Sequence, residues 1–83
     1  MLLVTFNGGG IMKNKYFVSN EDIAKNLMKL FSESNMTYEE IASEIDVSTR
    51  VLYYWVNGTR LPNINNFYAL SKLFNISIEN ILR

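Results

Sequence analysis

The hydrophobic positions of this chain recur at helical spacing in several stretches that are separated by short polar segments. In the first stretch, apolar residues fall at i, i+4, i+7 and i+8, which is one face of a helix. Ser19 lies just before this stretch and Asp22 follows three residues later, a start similar to a capping box. The pattern predicts a first helix over residues 20–34, whose buried face carries Ile23, Leu27, Leu30 and Phe31.

Two shorter helices are predicted in the middle of the chain. Thr37 and Glu40 have the spacing of a capping box at the start of the second helix, and Ser48 is a good N-cap for the third. Apolar residues repeat one turn apart on each helix, so that each has a single narrow face to bury. The residues on these two faces are Ile41, Ile45, Leu52 and Trp55.

The junction between these two helices is short. Val47 is expected to fill the corner, and Ala42 to lie where the helices cross most closely, so that a larger side chain there would force the backbones apart. Gly58 predicts a left-handed end to the third helix, and Pro62 prevents easy continuation. Two short helices about one tight turn are the outline of a helix-turn-helix, which makes the reading of DNA sequence the leading hypothesis.

Two further helices are predicted in the last third of the chain. Asn63 caps a fourth helix in which apolar residues repeat at threes, and Ser77 caps a last short turn from Ile78 to Leu82. The repeating residues of the fourth helix are Ile64, Phe67, Leu70 and Leu73. No strand is expected after residue 18, so the simplest architecture is an all-α fold of five short helices around one core.

Residues 1–18 differ from the remainder and are predicted to form an N-terminal arm before a single domain at residues 19–83. Leu2–Phe6 has the composition of a short strand, and Asn7–Gly10 that of a flexible turn. Met12 is an alternative native start, because three consecutive glycine codons are rich in guanine, as a ribosome-binding site is. On that hypothesis, residues 1–11 do not belong to the native protein.

The composition narrows the classes of function. A chain of 83 residues, 48% of them hydrophobic, forms one domain whose apolar residues are needed mostly for the core. The sequence has no cysteine and no histidine, which removes disulfides, thiolate nucleophiles, the usual zinc sites and imidazole acid–base chemistry. We therefore expect no enzymatic activity, no metal site and no cofactor. No segment resembles a membrane span or a secretory signal, which favours a cytoplasmic protein associated with the nucleoid.

The formal net charge is zero, but the charges are unevenly distributed along the chain. Residues 33–46 contain five acidic residues and no basic one, whereas residues 47–78 contain Arg50, Arg60 and Lys72 and no acidic residue. Phosphate neutralisation supplies much of the affinity of a protein for DNA. We therefore expect few phosphate contacts and a shallow salt dependence, or else contacts from neutral donors such as hydroxyls, amides and backbone N–H groups.

Residues 20–82 resemble the Cro/phage-repressor, or XRE, family of helix-turn-helix proteins. The likeness rests on an ordered set of motifs: Ile-Ala at 41–42, Val-Ser at 47–48, Leu-x-x-Trp at 52–55, Asn-Gly at 57–58 and then Pro62. It implies a lambda-repressor-like fold of five helices that binds double-stranded DNA. Two positions depart from the family pattern. Tyr38 stands where glutamine commonly opens the second helix, and Asp46 stands where glycine is common at the corner. Aspartate tolerates a left-handed backbone better than most residues, and the Tyr38 hydroxyl can bond to a phosphate.

The resemblance also implies which residues contact DNA. Arg50 is the leading base-reading residue, because its forked donors fit guanine O6 and N7, a contact worth roughly 1–3 kcal/mol of discrimination. The full base-contacting set is Thr49, Arg50, Val51, Tyr53 and Tyr54. The phosphate-contacting set is Tyr38, Ser48, Asn57, Thr59 and Arg60.

Each of these assignments has a simpler structural alternative. Arg50 can be solvated, or paired with Glu44 or Asp46 across the turn. The two tyrosines of the base-contacting set can be packed surface aromatics. Trp55 is expected in the core, because it shares a face with the buried leucine of its helix. Asn57 can serve only to prepare the turn that follows it.

The partners follow from the resemblance as well. It implies a homodimer on a pseudo-palindromic operator, because one recognition helix reads few base pairs and two must lie about one DNA turn, roughly 34 Å, apart. The candidates for the dimer contact are Ile76, Ile78, Ile81 and Leu82, although the core is the ordinary place for at least half of them. We expect a transcriptional regulator that represses by occluding a promoter, without a small-molecule ligand. The competing hypothesis, favoured by the zero net charge and Tyr38, is a module without DNA affinity that binds another protein through the Tyr53–Tyr54 surface and the terminal apolar helix.

Overall fold

The computed structural model describes residues 18–83, and over that range the chain forms α-helices and no strand. The helices are α1 (Asn20–Glu33), α2 (Tyr38–Ile45), α3 (Thr49–Asn57), α4 (Ile64–Phe74) and α5 (Ile78–Leu82). The predicted five-helix, all-α architecture is confirmed, with α1 ending one residue earlier than expected. The predicted strand at residues 2–6, the glycine turn and the alternative start at Met12 lie outside the described residues. Between residues 18 and 83, no helix combines the length and apolar character that crossing a membrane requires.

All five predicted N-caps are confirmed. In each helix the side chain of the residue before the first turn accepts a hydrogen bond from the backbone N–H three residues later. Thr37 and Glu40 form the complete capping box: the Glu40 N–H donates to Thr37 Oγ1 at 3.1 Å, and the Thr37 N–H donates to Glu40 Oε1 at 2.8 Å. A cap of this kind stabilises a helix by about 1 kcal/mol. The five cap residues are Ser19, Thr37, Ser48, Asn63 and Ser77.

Three helices end in a residue with left-handed backbone, at Asp46 (φ 61°), Gly58 (φ 77°) and Asn75 (φ 54°). At each of these ends the N–H of the next residue donates to a carbonyl five residues back, which satisfies groups that the helix leaves free. The left-handed stop at Gly58 was predicted and is confirmed. Asp46 takes the conformation that glycine would take more easily, so the corner of the helix-turn-helix forms with a small backbone strain.

The core lies between α1 and the other helices. α1 packs against α3 and α5, while α2 packs against α3 and α4. Trp55 is only 2% exposed to solvent, which confirms its assignment to the core. The most deeply buried side chains are Leu27, Phe31, Ile41, Leu52 and Leu70. Truncating one of these leucines to alanine removes about 2–5 kcal/mol from the free energy of unfolding of such a core.

Two sequence expectations about apolar residues need correction. Ile64 was placed on the buried stripe of α4 but is 69% exposed. Four residues spaced by three cannot share one helical face, because each step of three falls about 60° short of a full turn. Ile81 was a candidate for a dimer contact but is 2% exposed and belongs to the core, while the other three candidates are partly buried against it.

The position of α5 depends on a contact that the sequence pattern did not reveal. The Asn26 side-chain amide donates to the backbone carbonyl of Ile81 at 2.9 Å, which joins α1 to α5 across 55 residues of sequence. With the buried Ile81 side chain, this bond fixes the short C-terminal helix on α1. α5 also packs against α4.

Candidate nucleic-acid interface

α2 and α3 meet at a tight corner that holds α3 on the surface of the domain. The Val47 N–H donates to the Ala42 carbonyl at 3.0 Å, and the Val47 side chain is partly buried against the core. Ala42 is 3% exposed. The expected placement of a small residue on the buried side of α2 and of a valine at the corner is therefore confirmed, and α3 has one fixed orientation relative to α2.

α3 divides sharply into a buried and an exposed face. Leu52, Trp55 and Val56 are buried. Arg50 and Asn57 are exposed and Tyr54 is partly exposed; these three residues are spaced at i, i+4 and i+7 and share the opposite face. The structure therefore brings together, on one accessible side of a short helix, three of the residues that the sequence assigned to DNA contacts.

The Arg50 guanidinium has no partner within the part of the chain that the structure describes. Across residues 18–83, the structure records no ion pair or hydrogen bond of this side chain, although Glu44 and Asp46 lie nearby in sequence. The alternative in which Arg50 pairs across the turn is therefore not found in this structure. An arginine that is exposed and unpaired keeps all its N–H donors available for a ligand.

The rings of Tyr38 and Tyr53 are in contact, tilted by 37° to each other, and join α2 to α3. Their ring centroids lie 4.7 Å apart, and Tyr38 also meets the ring of the buried Phe31 edge-on at 5.4 Å. Burial, with a contribution from the neighbouring Tyr53 phenol, raises the pKa of Tyr38 above its ordinary value. The Tyr38 hydroxyl thus stays protonated and able to donate, and Tyr53, half exposed, is a surface aromatic that also packs.

Tyr54 and Arg60 are also coupled. The Arg60 guanidinium carbon lies 4.7 Å from the centre of the Tyr54 ring, and the backbone N–H of Arg60 donates to the Tyr54 carbonyl at 3.3 Å. A cation over an aromatic ring is attracted by about 0.5–1 kcal/mol at an exposed site. This contact orders the loop after α3 and leaves the edge of the guanidinium open to solvent.

The remaining base-contact candidates lie at the edges of the exposed face. Thr49, in the first turn of α3, is partly exposed, and Val51 is packed against the core on one side. The Ser48 hydroxyl accepts from the Val51 N–H at 3.3 Å, so its own hydrogen remains available to a phosphate.

A groove at the end of α3 contains residues that the sequence analysis missed. Asn57 and Gly58 line it together with Asn20, Ala24 and Lys25 of α1. The left-handed residue is Gly58, and among residues 18–83 the Asn57 side chain makes no hydrogen bond, so no side-chain bond from Asn57 supports the turn that follows it. Lys25 could not be predicted from the sequence, because Asn57 and Gly58, which line the groove with it, are more than thirty residues away along the chain.

The charges around this face are strongly polarised. The first turn of α2 carries Glu39 and Glu40, whereas the first turn of α3 has no acidic residue. The N-terminus of a helix attracts anions, but two carboxylates at the start of α2 oppose a phosphate there. The side of α3 that bears Arg50 is the part of the helix-turn-helix that can accept a polyanion.

Comparison with protein families agrees with this geometry. A family model described as helix-turn-helix matches residues 21–81. The HTH-type transcriptional activator BcrR of Enterococcus faecalis is 30% identical over 56 residues, which are 68% of this chain and 28% of that protein. The present chain thus spans little more than a quarter of the length of this relative.

Two solved structures share the fold. The SOS-response transcriptional repressor LexA from Eubacterium rectale superposes with a TM-score of 0.71 and 26% identity, covering 80% of this chain and 72% of that chain. The restriction-modification controller protein C.AhdI from Aeromonas hydrophila gives a TM-score of 0.69 over 75% of this chain and 94% of its own. At 14% identity, the second likeness concerns the fold alone.

Proposed function

We propose that this chain, which belongs to the XRE-type helix-turn-helix family, is a regulator of transcription that binds double-stranded DNA in a sequence-specific manner. The observation that carries the proposal is the Arg50 guanidinium on the outer face of α3, which is exposed and has no partner among residues 18–83. A short helix with this face free fits the width of the major groove of B-form DNA.

In this proposal α3 is the recognition helix. Arg50 donates to guanine O6 and N7, Thr49 and Tyr53 bond to neighbouring base edges, and Val51 touches a thymine methyl at the border of the contact. Tyr54 acts partly by holding Arg60 in place. The residues proposed to contact phosphate are Lys25, Tyr38, Ser48, Asn57, Thr59 and Arg60.

We further propose that two copies bind a pseudo-palindromic operator and that binding represses transcription. One helix of nine residues contacts only a few base pairs, which is too little sequence to mark a single promoter. Occupation of a promoter blocks polymerase and needs no additional contact surface on the regulator. One of the similar proteins is named an activator and another a repressor, so they do not favour either role. The proposal of repression therefore rests on this physical argument. Such a protein acts on the nucleoid, in the cytoplasm.

One observation favours a different function. The first turn of α2 is acidic and the net charge is zero, so the domain as a whole has little attraction for a polyanion. A module that binds another protein through the Tyr53–Tyr54 surface would have no need of such attraction. Salt dependence separates the two functions, because counterion release accompanies binding to DNA.

The decisive experiment begins with selection of binding sites from random duplexes, followed by titrations at several salt concentrations. With two cations at phosphates in each protomer, Lys25 and Arg60, we expect the logarithm of the binding constant to fall with a slope of about −2 per protomer. Failure to enrich any sequence, with no salt-dependent binding, would exclude a DNA-binding function and favour the protein-binding module.

Arg50→Ala tests the central residue in the same assay. We expect the variant to lose preference for the selected sequence, by about 1–3 kcal/mol, while its affinity for unrelated duplexes changes less. Lys29→Ala is the matched control, because Lys29 is an exposed cation of α1 that lies beside Ile76 and Arg83, away from α3. Equal losses on every duplex would assign Arg50 to phosphate contact only.

A further inference from the structure

A row of three aromatic rings leads from the core to the surface of α3. Phe31 is 2% exposed, and the Tyr38 ring meets it edge-on with the ring centroids 5.4 Å apart. The Tyr53 ring follows, 4.7 Å from Tyr38, and this residue is 50% exposed. We call these three residues the aromatic row.

The aromatic row restricts the Tyr53 ring before any ligand is present. Its inner end is held in the core, where the Phe74 ring lies 6.1 Å from Phe31. Tyr38 lies between this anchored ring and Tyr53, so the Tyr53 side chain has a partner on one side only. A side chain that is ordered by folding loses less conformational freedom when it binds a ligand. The exposed half of Tyr53 is therefore a fixed surface of ring carbon atoms.

Tyr53 lies among the residues proposed to contact bases. It follows Thr49 by four residues and Arg50 by three, and at 100° per residue it falls between them around α3. The ring therefore borders the side of α3 that is proposed to enter the major groove. In that groove thymine presents a C5 methyl group that the other three bases lack, and apolar side-chain atoms contact it.

We propose that the Tyr53 ring contacts the C5 methyl group of a thymine, and that Tyr38 is the positioning residue for this contact. The inference rests on the proposed DNA-binding function and deepens it by naming a chemical group that the domain selects. It adds an apolar contact of the ring to the hydrogen bond proposed for the Tyr53 hydroxyl.

The other tyrosine of α3 is less suited to such a contact. The Arg60 guanidinium carbon lies 4.7 Å from the centre of the Tyr54 ring, so a cation covers that ring. Tyr53 has a neutral aromatic partner instead, which leaves its exposed part apolar. An apolar surface favours a methyl group over a phosphate or a polar base edge.

The departure from the family pattern at Tyr38 also fits this role. A glutamine at the start of the second helix offers an amide for hydrogen bonds, whereas the tyrosine offers a ring that packs on its neighbour in α3. The net charge of the chain is zero, so few phosphate contacts contribute to affinity. A contact that excludes water from a methyl group adds affinity without requiring further charge.

The experiment uses the duplex selected by the parent protein and replaces its thymines one at a time with deoxyuridine. This exchange removes one C5 methyl group and keeps the Watson–Crick pairing. We expect the parent to lose about fourfold in affinity at the contacted position, the value for one buried methyl-sized group. Phosphate contacts are the same in both duplexes, so the ratio of the two affinities should not change with salt concentration.

Variants of Tyr53 test whether its ring makes the contact. Tyr53→Phe keeps the ring and should retain the fourfold preference for thymine, whereas Tyr53→Ala should bind the thymine and uracil duplexes equally at that position. Tyr68→Ala is the matched control, because Tyr68 is a 58% exposed tyrosine of α4. It should keep the preference of the parent. Both alanine variants replace side chains that are at least half exposed, so we expect both to fold.

Variants of Tyr38 test the positioning role. Tyr38→Phe keeps the ring and should retain the preference for thymine. Tyr38→Gln removes the ring, keeps a hydrogen-bond donor for phosphate and places a good helix former in α2. We expect its preference for thymine to fall below twofold, with a smaller change in affinity for unrelated duplexes. Circular dichroism checks that it is folded, and the Tyr53 variants decide the methyl contact without it.

Different outcomes overturn different statements. Failure of the parent to select any sequence, with no salt-dependent binding, would reject the proposed function and the methyl contact with it. Specific binding that is insensitive to uracil at every thymine would reject the methyl contact alone. The same conclusion follows if Tyr53→Ala keeps every preference for thymine, which would assign the contact to another residue such as Val51. Equal losses of Tyr38→Gln on the thymine and uracil duplexes would reject the positioning role.

Discussion

α2 and α3 are similar in length and construction but opposite in charge. Both start from a hydroxyl cap and both end in a left-handed residue. The first turn of α2 carries Glu39 and Glu40, which the positive end of a helix stabilises, whereas the first turn of α3 carries Arg50 and no acid. α2 is therefore arranged for its own stability, and α3 carries a charge that its own N-terminus disfavours.

The contrast shows that Arg50 lies where it does not favour the stability of its own helix. An unpaired arginine in the first turn of a helix costs roughly 0.3–1 kcal/mol relative to a neutral residue there. No contact within residues 18–83 offsets this unfavourable interaction, since the Arg50 guanidinium has no partner there. An anionic ligand outside the chain would offset it, which is why the difference between the two helices favours DNA as the ligand.

The largest effect is expected where the two helices are joined. Ala42→Leu forces extra volume into the buried crossing of α2 and should lower the free energy of unfolding by about 1–3 kcal/mol or more. Ser43→Leu adds the same kind of side chain at an exposed neighbouring position and should have little effect. Urea denaturation of the two variants makes the comparison; equal stabilities would show that the crossing has room for a larger residue.

Arg50→Glu exchanges the charge pattern of α3 for that of α2. We expect a gain in the free energy of unfolding of roughly 0.3–1 kcal/mol, because the helix N-terminus favours an anion, together with loss of specific DNA binding. Thermal denaturation and a DNA titration measure the two effects separately. Lys29→Glu, the same charge change on α1, should retain specific binding. A destabilised Arg50→Glu protein would contradict the idea that Arg50 sits at a cost to its own helix.

Asp46→Gly probes the corner between the two helices. Glycine adopts the observed φ of 61° without steric strain, and part of this gain is offset by the greater freedom of glycine in the unfolded chain. We expect a net stabilisation between a few tenths of a kcal/mol and about 1 kcal/mol. Glu44→Gly, inside α2, should destabilise by about 0.5–1 kcal/mol. Loss of stability in both variants would mean that Asp46 supplies an interaction beyond its backbone conformation.

The smallest effect concerns the ring contact between the helices at high pH. The folded-state pKa of Tyr38 is raised by burial, so the unfolded chain ionises first as pH rises. The contribution of Tyr38 is complete below its ordinary pKa of about 10 and is lost as pH rises through the folded value. Tyr38→Phe keeps the ring and removes the titration, so its unfolding free energy should fall less steeply from pH 9 upward. Tyr68→Phe, at an exposed site, should keep the steeper dependence of the parent.

Local chemistry explains why the helix boundaries could be predicted from the sequence. A serine, threonine or asparagine cap acts on a backbone N–H three residues away, so Ser48 can be recognised without knowing the fold. The same holds for the left-handed residue at Gly58, whose lack of a Cβ matters only to its own backbone. The core positions Leu52 and Trp55 follow from helical spacing in the same way.

Contacts between distant segments could not be predicted in this way. Nothing in the local pattern indicates that the Tyr38 ring contacts the Tyr53 ring, or that Lys25 shares a groove with Asn57. The exposure of Ile64 was missed because residues spaced by three move steadily around the helix. Over more than two turns they no longer share one face. The set of DNA-contacting residues remains a prediction, because each of these contacts is made to DNA and not to another part of the chain.

The hydrogen bond from Asn26 to the Ile81 carbonyl gives α5 a further role as a reporter on the domain. A five-residue helix has too few turns to persist alone in water, so α5 depends on its packing against α1 and α4. Its amide protons should exchange with solvent at the rate at which α5 separates from these two helices, not at the rate of whole-molecule unfolding. Isotope uptake at this last helix thus measures local opening between α5 and its two neighbours.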